Sequence, residues 1–159
     1  MYKRQTYTSS ALVNSSATFS GLKGSDSFTV SGYGSGTTVG SYADSLVLTA
    51  ASGTEASDYT ISLTGGTLTV TPASLTVTGA TSLLTYNGSQ QSNSYTVSGL
   101  LGSDTVTGVS GLAQATHVSE GMVSDTLSGA TGSGIDNYTV SYVNGSLTIN
   151  PAALTLVYT

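Results

Sequence analysis

The sequence has no cysteine, a single histidine, two prolines and few charges: Asp, Glu, Lys and Arg make up only 7% of its 159 residues. Without cysteine, neither a disulfide framework nor a thiolate metal site is possible. Any Ser-His-Asp triad would have to use His117, whose loop position shows no oriented partner. No apolar run approaches the length of a membrane-spanning helix, and the N-terminus does not read as a signal peptide. The net charge of −5 argues against nucleic acid or an anionic membrane as partner. Soluble proteins usually carry about 25% charged residues, so solubility here rests on Ser, Thr, Asn and Gly.

Apolar residues, 38% of the chain, recur with period two, and nothing shows sustained helical periodicity; the expectation is an all-β protein. The clearest stretch runs from Asp136 to Pro151. Asn144-Gly145 reads as a type I′ turn, which needs φ > 0 at both central residues. In that register Tyr142 faces Leu147, Val140 faces Ile149 and Tyr138 faces Pro151, with all six on one side. Thr139, Ser141, Thr148 and Asn150 fall on the other, so turn chemistry and alternation predict one β-hairpin.

The same unit occurs 79 residues earlier, from Asp58-Tyr59 through Gly65-Gly66 to Pro72, with Leu63 facing Leu68 and Ile61 facing Val70. A period of this size means copies of one small domain. The repeat divides the chain into residues 6–72, a first copy lacking its opening strand, and 73–151, a second copy. Residues 152–159 open a third: Pro151-Ala-Ala-Leu154-Thr-Leu156 repeats Pro72-Ala-Ser-Leu75-Thr-Val77. Residues 1–5 read as a non-native leader, resembling the translated end of a transposon adapter used in sequencing-library preparation. The chain is thus expected to be an internal fragment of metagenomic origin. Prolines at both handovers, with no flexible linker, favour an end-to-end array.

Within each copy, Ala17–Asp26 and Tyr95–Asp104 read as a strand entering a tight turn or a single helical turn, and Phe28–Ser31 and Val106–Ser110 as another strand. Val39–Leu48 reads as a strand with Tyr42, Leu46 and Leu48 on one face, and Gly121–Asp125 aligns with Gly40–Asp44. Small gains and losses between the copies fall in turns, which leaves the strand framework intact.

Tyr86-Asn-Gly, Tyr95-Thr-Val-Ser-Gly-Leu-Leu-Gly-Ser-Asp104 and Asn137-Tyr-Thr-Val-Ser-Tyr-Val-Asn-Gly-Ser-Leu-Thr-Ile-Asn-Pro-Ala-Ala-Leu-Thr155 resemble the MBG/YDG-type repeats of large bacterial surface adhesins. The likeness is in particular to filamentous-haemagglutinin-like proteins exported by two-partner secretion, and it covers the chain after Gln5. The first copy departs from it with Tyr7-Thr8-Ser9 in place of Tyr-Asn-Gly, the second with Met122-Val123 in place of Ser41-Tyr42. The resemblance implies an extracellular stalk or adhesin segment without catalytic residues.

Candidate chemistry is sparse. Asp26 and Asp104 sit in Gly-Ser-Asp turns, where Asp accepts backbone N–H groups. Glu120, Asp125 and Asp136 would have to gather to hold Ca²⁺, without the spacing of a calcium loop. Gly32-Tyr-Gly34-Ser-Gly36 lacks the Lys and helix of a phosphate-binding loop. Tyr59, Tyr138 and Tyr142 fall on the inward face and read as core, leaving Tyr33 and Tyr95 less constrained. Asn14, Asn87, Asn137 and Asn144 match the glycosylation acceptor pattern. The Thr67, Thr69, Thr71 row is replaced in the second copy by Ser146, Thr148 and Asn150, which speaks against an ice-binding array.

No catalytic, cofactor-binding or metal-binding residue is assigned. The sequence points to a structural repeat segment of a secreted or cell-surface adhesin, whose partners are neighbouring repeats. The alternative is a module capturing glycan or host protein on loops 32–38 and 128–134. Leu154–Tyr158 is expected either to hang free or to join an exposed sheet edge.

Overall fold

The computed structural model of the chain describes residues 2–159, and they form short strands and three single 3-10 turns. The protein is all-β. The chain divides into two compact units between Pro72 and Ala73.

The first unit contains β1 (Tyr2–Thr6), β2 (Leu12–Val13), β3 (Phe28–Ser31), β4 (Ser35–Gly36), β5 (Gly40–Ala43), β6 (Val47–Ala50) and β7 (Thr67–Thr71). β7 is central to a three-stranded sheet, parallel to β1 and antiparallel to β5. β2 pairs with β4, and β3 with β6. Met1 lies outside the described residues, but Tyr2–Gln5 of the supposed leader forms most of β1, since ladder bonds use backbone and not side chains.

The second unit contains β8 (Ala73–Gly79), β9 (Thr81–Thr85), β10 (Gln91–Ser92), β11 (Tyr95–Ser98), β12 (Gly108–Ser110), β13 (Gln114–Ala115), β14 (Met122–Ser124), β15 (Ser128–Thr131), β16 (Tyr138–Val143) and β17 (Ser146–Asn150). One sheet runs β11-β8-β16 and another β14-β17-β9, while β10 pairs with β13 and β12 with β15.

The predicted hairpin does not exist. β16 pairs in parallel with β8, and β17 in parallel with β9; β16 and β17 lie in different sheets. Neither Asn144 nor Gly145 has positive φ, so there is no type I′ turn. Two chain segments instead run side by side, with Tyr138 beside Ala73 and Asn150 beside Thr85, and the register is unbroken across the step between sheets. At that step the backbones nearly touch: a Cβ on Gly145 would lie 2.1 Å from the Ala80 oxygen, and one on Gly79 2.0 Å from a carboxylate oxygen of Asp125. Glycine is there for proximity, not for its turn-forming freedom. The earlier copy of the hairpin is absent too, since residues 59–66 form no strand.

The inward alternation nevertheless holds. Tyr138, Leu147 and Ile149 are buried and Val140 and Tyr142 half-buried, while Pro151 is exposed. Leu75, Val77, Leu147 and Ile149 are completely enclosed. Ala113, Ala115, Leu147 and Ile149 form one cluster, against which Leu84 and Val123 pack. Burying each such aliphatic side chain stabilises the unit by about 1.5–3 kcal/mol.

The predicted Val39–Leu48 strand is broken at Asp44, where the chain passes from the sheet of β5 to that of β6. Residues 17–20, predicted as a strand, form no strand. Supposed loops 32–38 and 128–134 contain β4 and β15. In the first unit Ser9 takes φ +63, matching Gly88 at +83, so the early turn survives without glycine. The Tyr42 ring lies over Gly36, whose Cβ would meet it at 2.0 Å; the second unit places Val123 and Ala115 at these positions, a smaller residue for the tyrosine and a larger one for the glycine.

Candidate functional site

The polar groups of the fold converge on one carboxylate in each unit. Asp125 follows β14, where the chain leaves the sheet, and is 1% exposed. Its Oδ1 accepts the Ala113 N–H at 2.7 Å, and its Oδ2 the Gly145 N–H at 2.9 Å. Asn93 Nδ2 donates to both oxygens, at 3.0 and 2.8 Å, and to the Ala80 carbonyl at 2.7 Å. Ser82 Oγ completes the set by donating to Asn93 Oδ1 at 2.6 Å. A buried carboxylate is tolerable only with such donors around it.

The first unit repeats the arrangement. Asp44 accepts the Gly34 N–H on Oδ1 and the Gly66 N–H on Oδ2, both at 2.7 Å, and Asn14 Nδ2 donates to both oxygens at 3.1 Å. The two backbone N–H groups hold the Asp44 carboxyl below its ordinary range, aided by the Asn14 amide. Lys3 stands where the second unit has Ser82, so the serine bond to the amide oxygen has no counterpart.

A second recurring pair closes the Gly-Ser-Asp turns. Tyr138 Oη donates to Asp104 Oδ2 at 2.7 Å and accepts the Leu101 N–H at 2.9 Å. Tyr59 Oη donates to Asp26 Oδ2 at 2.5 Å and accepts the Lys23 N–H at 3.1 Å. Burial first, then the Asp104 carboxylate, holds the Tyr138 phenol above its usual range. The Asp26 bond does the same to Tyr59. The aspartates of these turns thus serve tyrosine hydroxyls, which sequence alone did not indicate.

The three carboxylates considered for calcium are used separately. Asp125 is the buried centre described above. Glu120 Oε1 accepts the N–H groups of Thr116 and His117, both at 2.7 Å, which lowers its pKa. Asp136 is exposed in the Ile135–Asn137 turn. Among the described residues no cluster of His, Asp and Glu could hold a metal ion. His117 stacks on Tyr86 with ring centroids 5.9 Å apart. Gly34, of the glycine-rich stretch, donates to Asp44. Tyr142 Oη accepts the Ala130 N–H at 2.8 Å.

One open groove of about 390 Å³ lies in the first unit, lined by Phe19, Val30, Leu46, Leu48, Ile61 and Leu63 among others. Its apolar walls are partly solvent-exposed: Ile61 by 45% and Leu63 by 48%. Their counterparts Val140 and Tyr142 are half-buried in β16. The signal for the carboxylate centres was available in the sequence, since Asn14 with Asp44 and Asn93 with Asp125 recur one repeat apart. Recurrence alone does not say that an amide and an acid meet. Comparison with protein-family models, curated proteins and solved structures finds no match to this chain.

Proposed function

We propose that the chain is a mechanical repeat segment of a secreted or cell-surface bacterial adhesin, without catalytic activity. The observation that carries this reading is the parallel ribbon of the second unit. Residues 73–85 and 138–150 are its first and last segments and lie side by side in one register. In a parallel pair the start of one segment and the end of the other sit at opposite ends of the ribbon. Tension applied through Ala73 and Asn150 therefore shears many backbone hydrogen bonds together instead of opening them one at a time.

The use of the polar side chains supports the same reading. Asp44, Asp125, Asp26 and Asp104 are occupied in holding corners and turns of the fold, in the same way in both units. The resemblance of Tyr95–Asp104 and Asn137–Thr155 to MBG/YDG-type repeats supplies the adhesin context and an extracellular location. Arrays of glycans and matrix proteins probed with the chain test it. No selective capture is expected, and tight selective binding would replace the stalk reading with a ligand-binding module.

A further inference from the structure

The dipeptide Asn-Gly occurs twice in the chain, as Asn87-Gly88 and as Asn144-Gly145. Its chemistry allows self-modification, because a glycine nitrogen with no side chain beside it can attack the preceding asparagine Cγ and close a five-membered succinimide. The fold places the two copies in opposite circumstances.

At Asn144-Gly145 both reacting groups are held by other partners. The Gly145 N–H donates to Asp125 Oδ2 at 2.9 Å, and Asn144 Oδ1 accepts the Leu127 N–H at 2.9 Å. Space is short as well, since a Cβ on Gly145 would lie 2.1 Å from the Ala80 oxygen. Attack there has to wait until the corner opens.

Asn87-Gly88 lies in the exposed turn after β9. Nothing crowds the Cβ position of Gly88, and among the described residues no acceptor holds its N–H. Asn87 Oδ1 accepts the Ser89 N–H at 2.9 Å. That bond folds the side chain over the Gly88 peptide and draws electron density from Cγ, which favours attack. The other asparagines are poorly placed: Asn14, Asn93 and Asn137 are buried, and Asn150 precedes Pro151, which has no N–H. The first unit carries Thr8-Ser9 at the corresponding positions and cannot undergo the reaction.

We propose that Asn87 is a site of spontaneous covalent modification in the folded protein, and that Asn144 is spared because Asp125 holds the Gly145 N–H. The Gly88 nitrogen gives up its proton and bonds to Asn87 Cγ. The Cγ–Nδ2 bond breaks, and the side-chain nitrogen carries that proton away as ammonia. Water then opens the ring at either carbonyl, giving aspartate or isoaspartate. Both products add a negative charge to a unit, residues 73–159, that contains no Lys or Arg. Isoaspartate also lengthens the backbone by a methylene beside Tyr86, whose N–H donates to the Asn150 carbonyl at 2.9 Å. The turn thus records the age of the folded chain. The inference rests on the geometry of the two dipeptides and not on the adhesin reading.

Incubation of the full chain at neutral and mildly alkaline pH, across a urea series, tests it. Chymotryptic peptides are mapped for the mass gain of NH2 replaced by OH, and fragmentation distinguishes isoaspartate from aspartate. In the folded chain Asn87 should convert at least roughly a hundredfold faster than Asn144, which depends on opening of a buried corner. Hydroxylamine present during incubation should trap the succinimide at residue 87. Through the urea transition of the second unit the Asn144 rate should climb to that of Asn87, whose own rate changes little. Conversion of Asn144 as fast as Asn87 in the folded chain would overturn the proposal. So would an Asn87 that stays intact until urea unfolds the unit.

Discussion

Asp125 and Gly145 hold each other twice: the glycine N–H donates to the carboxylate at 2.9 Å, and the Asp125 N–H donates to the glycine carbonyl at 3.0 Å. Asp44 and Gly66 make the same exchange, at 2.7 and 2.9 Å. Each pair sits where the chain leaves one sheet for another, a place where ladder bonds end and backbone groups need other partners. Asp125→Ala would orphan the Ala113 and Gly145 N–H groups in the interior and leave the Asn93 amide with the Ala80 carbonyl as its one remaining acceptor. The expected cost is about 3–5 kcal/mol in the unfolding of the second unit by urea. A loss under about 1 kcal/mol would mean that the carboxylate is not what holds the corner.

Gly145→Ala tests the close approach of the two segments. A Cβ there would sit 2.1 Å from the Ala80 oxygen and 2.5 Å from the Gly79 carbonyl carbon, and both are backbone atoms that cannot swing aside. Gly88→Ala is the comparison: its φ of +83 strains any side chain, but the space is open. The Gly88 variant should cost about 1 kcal/mol and the Gly145 variant at least about 3 kcal/mol, measured as shifts in unfolding free energy.

Gln5 occupies the position that Leu84 holds in the second unit, and its Oε1 is buried without a hydrogen-bond partner. An unsatisfied buried amide oxygen costs about 1–3 kcal/mol. Gln5→Leu should therefore raise the urea midpoint of the first unit, by a stabilisation of about 1–2 kcal/mol. The second unit should be unaffected.

The first unit should weaken in acid through Asp44. Its folded pKa is held below the ordinary aspartate range, chiefly by the Gly34 and Gly66 N–H groups. A depressed carboxyl contributes stability above its unfolded value and loses it as pH falls through the folded one. The urea midpoint of the first unit should thus fall from about pH 4 downward, and more shallowly in Asp44→Asn. Identical slopes in the two proteins would show that Asp44 is not the titrating group.

What was legible in the sequence was local. Alternation assigned the inward faces of Tyr138–Tyr142 and Leu147–Ile149, because period two is a property of a strand whatever it pairs with. The partners were not legible. Asn144-Gly145 carries the strongest short-range turn signal, but Gly145 is glycine so that the Ala80 backbone can approach. The parallel partners, Ala73–Thr85, lie far away in the chain and leave no local trace. Likewise Asn93 and Asp125 each recur one repeat away, yet only the fold shows that the amide saturates the acid.

Pulling the intact chain from its two ends in a single-molecule experiment tests the mechanical reading most directly. In the second unit the sheared ribbon spans β8 with β16 and β9 with β17; in the first, among the described residues, β1 with β7 is the one parallel pair. Two rupture events of unequal force are expected, the stronger releasing the chain between Ala73 and Asn150 in one step. Gly145→Ala should lower that force and leave the weaker event in place. Gradual extension of the second unit without a force peak, or rupture no stronger than that of the first, would contradict a load-carrying role.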